Sequence, residues 1–379
     1  MPSSRSSSPP ALTITTLSRT SEYAKRVSPQ TYTGCGTGCA YVSASHSTTE
    51  HALARHYRID TTLLPPSARA AYAPLSMDDE TRAFLASCVA KPCIDSMASI
   101  LRSVLSVTDV NALLFRGAMF VFSIAHLKAL LNDENNRNRN RDRNRNRQQL
   151  ALLDVGAGDG NVTLQFSQIF SKIEATEISW GMVARLLLRG YSARVASDLS
   201  PQTFPHSRSY DCVSLLNLLD RCDAPLSMLR DASRLATSDG CVLVALVLPF
   251  SDFVEDGAKR RAPRHPLEMG GARCGDGATF ETSLAAFIER VLPRAALRLE
   301  RLARVPYLCR GDSRRAYYVL SDAIMVLRPV VEKENTFSSY DKGDTCGAAT
   351  FENEGSSPEL TAADSLPELS APPAIHVRL

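Results

Sequence analysis

Long apolar runs are missing from this 379-residue chain. No stretch reaches the roughly eighteen apolar residues that a membrane-spanning helix needs, and no compact apolar segment follows basic residues near the start, as in a secretory signal. We therefore expect no membrane span and a cytoplasmic protein. Residues 1–30 are rich in Ser and Thr, with four basic residues and one acid. A mitochondrial location, or one in the endoplasmic reticulum, therefore stays open.

Paired metal-binding motifs are also absent. The ten cysteines include no C-x-x-C pair, and Cys35 and Cys39 have no second cluster of Cys or His at a matching distance. This disfavours a structural zinc site, so we expect free thiols and no metal. The formal net charge of +3 is nearly balanced and does not by itself suggest nucleic acid.

The basic residues concentrate in one low-complexity run. Residues 135–147 alternate six arginines with Asn and one Asp. Such a run cannot form a core, so we expect residues 132–149 to be a solvated surface insertion without chemistry. An anionic partner is the alternative for this run, but we expect no stable nucleic-acid partner.

Composition and periodicity divide the chain into five regions. We expect residues 1–77, rich in Ser, Thr, Pro and Gly, to be disordered or loosely ordered, and the acidic Ser/Pro-rich tail at 331–379 to be disordered. Helical spacing indicates an N-terminal helical cap over 78–131. After the insertion at 132–149, residues 150–330 alternate short apolar runs with helical patterns, which is typical of parallel β-α-β units. The predicted class is α/β, with a Rossmann-like, doubly wound domain.

The elements of that domain follow from the same patterns. An almost wholly apolar run at 241–248 is expected in the buried middle of the sheet. We predict strands over 150–155, 173–177, 194–196, 211–217, 241–248, 297–303 and 316–327, and helices over 161–170, 179–189, 225–235 and 280–291.

A glycine-rich loop follows the first predicted strand. It contains Gly156 and Gly158 between Asp154 and Asp159. Glycine lets the backbone turn tightly and approach a ligand. Because two acids repel a pyrophosphate, the loop fits a cationic ligand such as S-adenosylmethionine better than a dinucleotide. A chance turn is the alternative, disfavoured by the position between an apolar strand and a helix.

An acid ends the second predicted strand. Glu177 lies twenty-one residues after Gly156, where an acid can accept hydrogen bonds from both ribose hydroxyls of a nucleotide. An exposed Glu at a strand end is the simpler alternative. We include Glu177 and its neighbour Ile178 in the predicted cofactor site.

Asn217 and Asp220 follow the fourth predicted strand. Ligands of doubly wound sheets lie outside the carboxyl ends of the strands, so these two side chains should face the transferred methyl group. A carboxamide and a carboxylate can hold an N–H acceptor, fix its tautomer and take its proton. A helix cap of the Asn-x-x-Asp type is the structural alternative.

The chain resembles the protein-L-histidine N-pros-methyltransferases, the methyltransferase-like protein nine group. The likeness covers roughly residues 80 to 330, interrupted by the insertion, and extends beyond the generic glycine loop. The matching motifs are Arg116–Ser123, Leu152–Gly160, Ala175–Ser179, Leu216–Asp223, Ala245–Phe250, Pro306–Asp312 and Tyr317–Ala323. Departures occur at Phe280-Glu281, where the family has Trp-Glu, and at Arg310, where it has Glu.

The resemblance implies a monomeric, S-adenosylmethionine-dependent enzyme that methylates the pros nitrogen (Nδ1) of histidine in His-x-His motifs of proteins. Carried over by motif, Asp154, Gly156 and Glu177 would hold the cofactor, with Arg116 and residues 119–123 closing over it. Asn217 and Asp220 would orient the acceptor imidazole, helped by Tyr307 and Tyr318. A small-molecule or RNA N-methyltransferase, and a non-catalytic cofactor-binding adaptor, are the alternatives.

Overall fold

The computed structural model describes residues 51–89, 91–131 and 150–330. Three predicted features therefore lie outside the described residues: the N-terminal segment with Cys35 and Cys39, the Asn/Arg insertion, and the acidic tail.

The domain is built on one eight-stranded sheet with the strand order β1-β9-β10-β6-β5-β2-β3-β4. Its strands are β1 (Met119–Phe120), β2 (Ala151–Val155), β3 (Lys172–Glu177), β4 (Ser192–Val195), β5 (Tyr210–Leu216), β6 (Ala236–Val247), β9 (Leu297–Arg310) and β10 (Tyr317–Pro329). A separate hairpin pairs β7 (Val254–Asp256) with β8 (Lys259–Arg261). Strands β2 to β6 run parallel, and β10 is antiparallel to both β6 and β9.

The strand order reverses between β2 and β5. From β2 the chain continues outward to β3 and β4, and it then returns to add β5 and β6 on the other side. Val155 at the end of β2 pairs with Leu215 near the end of β5. Doubly wound sheets bind ligands in the crevice at such a switch point. The predicted α/β, Rossmann-like class is confirmed.

Helices cover both faces of the sheet. They are α1 (Pro66–Ala71), α2 (Asp79–Ser87), α3 (Pro92–Leu101), α4 (Val107–Leu113), α5 (Ile124–Leu131), α6 (Thr163–Phe166), α7 (Trp180–Leu188), α8 (Pro225–Leu235) and α9 (Phe280–Ala286). Alternate residues of the strands enter two separate cores: Val242 and Val244 face one, and Leu243 and Ala245 the other. This alternation follows from the two-residue period of a strand. It explains why β6 is apolar and buried from residue 241 to 246.

Residues 51–77, expected to be disordered or loosely ordered, instead pack onto the sheet. Leu53, Tyr57 and Ala68 are buried, and the Ala73 N–H donates to the Leu302 carbonyl at 2.7 Å. The segment forms only short helical turns, which contacts with β9 hold in place. Such short turns show little hydrophobic periodicity in the sequence, so their order was not predicted. The ordered chain therefore begins well before the predicted boundary at Asp78.

Several element bounds also differ from the predictions. The helix expected over 161–170 is the single short turn α6, and the strand expected over 297–303 continues to Arg310 because β10 pairs along its whole length. Within the described ranges no single helix is long and apolar enough to cross a membrane; α2 and α3 pass that test only together, as a pair bent by 80°.

Candidate active site

The glycine loop after β2 lies against the segment after β5. Gly156 and Gly158 have φ of +70° and +57°, which favours glycine. A Cβ added at Gly156 would lie 3.0 Å from Leu218 Cδ1, whereas one at Gly158 would meet no described atom within 4 Å. The loop therefore turns tightly against Leu218 and has open space beside Gly158.

The two acids of this loop hold its shape. Asp154 is buried, and its carboxylate accepts hydrogen bonds from Thr163 Oγ1 at 2.6 Å and Ser214 Oγ at 2.7 Å. Burial raises the pKa of Asp154. Asp159 forms an ion pair with Arg185 at 3.0 Å. Both predicted cofactor residues thus support the loop, and neither is a free charge.

Glu177 ties the end of β3 to the same loop. Its carboxylate accepts the Gly158 N–H at 3.0 Å and the Ile178 N–H at 2.8 Å. Burial raises the pKa of Glu177, and these backbone hydrogen bonds oppose that rise. Ile178 is 66% exposed. Glu177 Oε1 also accepts the Ser179 N–H at 3.4 Å, so the spare lone pair lies on Oε2, next to the exposed side chain of Ile178 at the end of β3.

A buried polar cluster follows β5. Asn217, with φ of +53°, donates from Nδ2 to Asp322 Oδ2 at 2.8 Å. Asp220 forms an ion pair with Arg221 at 2.6 Å. Burial raises the pKa of Asp220 to about 6, against the charge of Arg221. Burial also raises the pKa of Asp322 well above its usual range, with a further contribution from Asp220. We call Asn217, Asp220 and Asp322 the acceptor cluster.

Each member of the acceptor cluster has one unused oxygen. Asn217 Oδ1, Asp220 Oδ1 and Asp322 Oδ1 are buried and accept no hydrogen bond from any residue that the structure describes. A buried polar atom without a partner costs about 1–3 kcal/mol, and a ligand or an ordered water can supply the missing partner. The unused oxygens of Asn217 and Asp220 fit a ligand that carries hydrogen-bond donors.

Sequence reasoning missed Asp322. It belongs to β10, two strands from β5, and only the folded sheet brings it to Asn217. A signal was present, because Asp322 is the one charged residue in the largely apolar stretch from Val319 to Leu327. A buried acid inside a central strand is rare unless it has a function or a partner.

The remaining predicted residues lie towards the cap. Arg116 pairs with Asp95 of α3 at 3.1 Å, and Tyr318 donates to Asp312 Oδ2 at 3.0 Å. Tyr307 contacts Met119 Sδ, and it also hydrogen-bonds to Cys309, whose electrostatic neighbours include Asp322. Arg116 is thus engaged with the cap, and Tyr307 lies on β9 two residues from Val305, which pairs with Asp322.

A cavity of about 310 Å³ separates the cap from the glycine loop. Arg116 and Asp159 both line it, whereas Gly156, Glu177 and Asn217 do not. Cations outnumber acids in its lining. Its charged residues are Lys91, Arg116, Arg185, Arg189 and Arg310 against Asp95 and Asp159.

Residues 56–329 match the family model described as DREV methyltransferase. The chain belongs to the DREV methyltransferase family. It is accordingly an S-adenosylmethionine-dependent methyltransferase, and the predicted cofactor is confirmed. The match spans the cap and the sheet together, so the packing of residues 56–77 onto β9 is part of the family domain.

The solved structures with partial likeness to this chain include a cyclase and two methyltransferases. The cyclase SpnF is 16% identical with a TM-score of 0.32, covering 48% of this chain and 76% of its own. The O-methyltransferase NcsB1 of neocarzinostatin biosynthesis, solved with S-adenosyl-L-homocysteine, is 20% identical with a TM-score of 0.30, covering 47% and 49%. Phosphoethanolamine N-methyltransferase 2 of Haemonchus contortus, solved with S-adenosyl-L-methionine, is 18% identical with a TM-score of 0.24, covering 30% and 28%. This chain thus spans about half or less of the length of the last two.

Proposed function

We propose that this methyltransferase transfers the methyl group to the pros nitrogen of histidine side chains in His-x-His motifs of other proteins. The observation that carries the proposal is the acceptor cluster, in which Asn217 Oδ1 and Asp220 Oδ1 are buried acceptors without a described partner. A neutral imidazole has one N–H and one nitrogen with a free lone pair. Asp220 can take the N–H while the other nitrogen attacks.

The cofactor would lie at the switch point between β2 and β5, and it supplies a methyl group already activated on a sulfonium centre. Glu177 would accept a hydrogen bond from the ribose hydroxyls at Oε2, and Ile178 would cover one face of the adenine. The open space beside Gly158 fits the close approach of a ligand to the backbone. Asp154 and Asp159 would act indirectly, by holding the loop.

Asp220 would orient and stabilise the acceptor. With a pKa of about 6 it is mostly ionised at pH 7.5, so its carboxylate can accept the tele (Nε2) N–H of a neutral imidazole. That contact fixes the tautomer and leaves the pros nitrogen free to attack. As the imidazole becomes a cation, the nearby negative charge stabilises it. Positioning against an activated methyl supplies much of the remaining rate.

The resemblance suggests roles for three further residues. Tyr307 would contact the acceptor ring, and Tyr318 would extend that wall towards the cap. Arg116 would close over the cofactor from the cap side, where it lines the cationic cavity. We expect the enzyme to act as a monomer.

The test is an acceptor panel with the purified full-length protein and tritiated S-adenosylmethionine. A His-Ala-His peptide, the matched peptides Ala-Ala-His and His-Ala-Ala, a lysine peptide and total RNA are incubated side by side. We expect strong labelling of His-Ala-His and little of the others. Labelled RNA would replace this proposal with a nucleic-acid methyltransferase, and cofactor binding without any labelling would favour a non-catalytic adaptor.

A further inference from the structure

A buried asparagine can present either its oxygen or its NH2 group to a ligand. For Asn217 the neighbouring contacts decide between the two. Its backbone N–H donates to the Ala245 carbonyl at 2.9 Å, and its Nδ2 donates to Asp322 Oδ2 at 2.8 Å. The carboxamide oxygen is left unpartnered among the described residues.

The position of Asp322 makes this contact unusual. It pairs in register with Val247 at the end of β6, so its side chain reaches Asn217 past the end of the intervening strand. It is 0% exposed, and the structure gives its carboxyl no ion-pair partner within the described ranges. Burying an acid in this way costs stability. The hydrogen bond from Asn217 Nδ2 is the contact that the buried carboxyl makes in return.

We propose that Asp322 is a positioning residue for methyl transfer, which holds the Asn217 carboxamide with its oxygen towards the methyl acceptor. Asn217 and Asp220 then both offer hydrogen-bond acceptors to the substrate. Such a lining selects acceptors that carry N–H groups and disfavours carboxylates and phosphates, which themselves need donors. That the N–H acceptor is histidine rests on the proposed function; the orientation of Asn217 does not.

Four variants of the full-length protein test the pair. Asp322→Ala removes the partner of Asn217, whereas Asp322→Asn keeps a carbonyl oxygen that can accept from it. Asn217→Asp places two carboxyl groups against each other. The double variant Asn217→Asp/Asp322→Asn restores one donor and one acceptor with their places exchanged, so it should rescue the single Asn217→Asp variant.

We expect Asp322→Ala to lower kcat by about 10- to 100-fold, because a small misplacement of a positioning group can cost up to about 100-fold. Its KM for S-adenosylmethionine should change little. Asp322→Asn should keep more of kcat than Asp322→Ala, because its carbonyl oxygen can still accept from Asn217, and the double variant should recover at least about tenfold over Asn217→Asp, as expected for directly coupled residues. If Asp322 only stabilised the fold, each variant would have a lower melting temperature. The double variant would then not regain kcat, measured per cofactor-binding site, over Asn217→Asp.

A second measurement is independent of the methyl acceptor. The side-chain NH2 signal of Asn217 is identified by NMR from its loss in Asn217→Asp, with S-adenosylhomocysteine bound. We expect slow hydrogen exchange in the wild type and in Asp322→Asn, and fast exchange in Asp322→Ala. If the histidine peptide is not methylated but this pattern holds, only the proposed function fails. Unchanged exchange in Asp322→Ala, or no rescue in the double variant, overturns the role of Asp322.

Discussion

Replacing Asp220 by Asn should make the protein more stable and far less active. Burial raises the pKa of Asp220 from 3.8 to about 6, and its side chain is only 2% exposed. Because one pKa unit corresponds to about 1.4 kcal/mol, the ionised carboxylate costs the folded state about 3 kcal/mol at pH 7.5. Asn has nearly the same shape and carries no charge.

The sign follows from the direction of the shift. A raised folded-state pKa gives stability that is present below pH 3.8 and lost as the pH rises through about 6. The substitution should therefore stabilise the protein by about 1–3 kcal/mol at pH 7.5, and this shift already includes the attraction of Arg221. Turnover should fall by about 100-fold or more, because an acceptor that assists proton movement contributes that much.

The assay is calorimetric unfolding at pH 7.5 and pH 5.0, with methyl transfer measured on the same samples. Asp223→Asn is the matched control, because hydrogen bonds from Arg261 hold the pKa of the Asp223 carboxyl below its usual range and the same change should not stabilise. The reasoning is refuted if Asp220→Asn melts below wild type at pH 7.5. It is also refuted if the gain in stability over wild type is the same at pH 5.0 as at pH 7.5.

Two further substitutions test the segment 51–77 and the glycine loop. Burial lowers the pKa of His56 to about 4, so stability should fall as the pH drops from about 6.5 towards 4; in denaturant titrations His56→Gln should lose less than wild type, and an equal loss would contradict this. Gly158→Ala should weaken S-adenosylmethionine binding in calorimetric titrations. Gly190→Ala, with φ of +85° and similar open space, should cost similar backbone strain but leave that affinity unchanged; equal affinity in both variants would place the cofactor elsewhere.

The parts of the fold that local patterns control were predictable. The glycine loop, Glu177 and Asn217 follow directly after strands whose apolar runs are legible in the sequence, and parallel strands bring their carboxyl ends to one edge. Helix α8 matched its predicted bounds because its apolar residues recur at helical spacing. The same reasoning predicts a site at that edge, and the residues of this site stay a prediction.

Features that depend on distant contacts were not predictable. Asp322 comes to the site only through the pairing of β10 with β6. Tyr57 is buried by contacts with distant residues, which the local sequence pattern does not predict. The ion pair of Asp159 with Arg185 was not predictable either, since Arg185 lies on α7 rather than in the loop. Side chains that depend on strand order or on interhelical packing carry no local signal.

The measurement that tests the account most directly is the position of the transferred methyl group. A His-Ala-His peptide labelled by the enzyme is hydrolysed, and pros- and tele-methylhistidine are separated. If Asp220 takes the tele N–H, the label will be recovered as pros-methylhistidine. Label in tele-methylhistidine, or in another amino acid, would contradict the orientation that the acceptor cluster is proposed to impose.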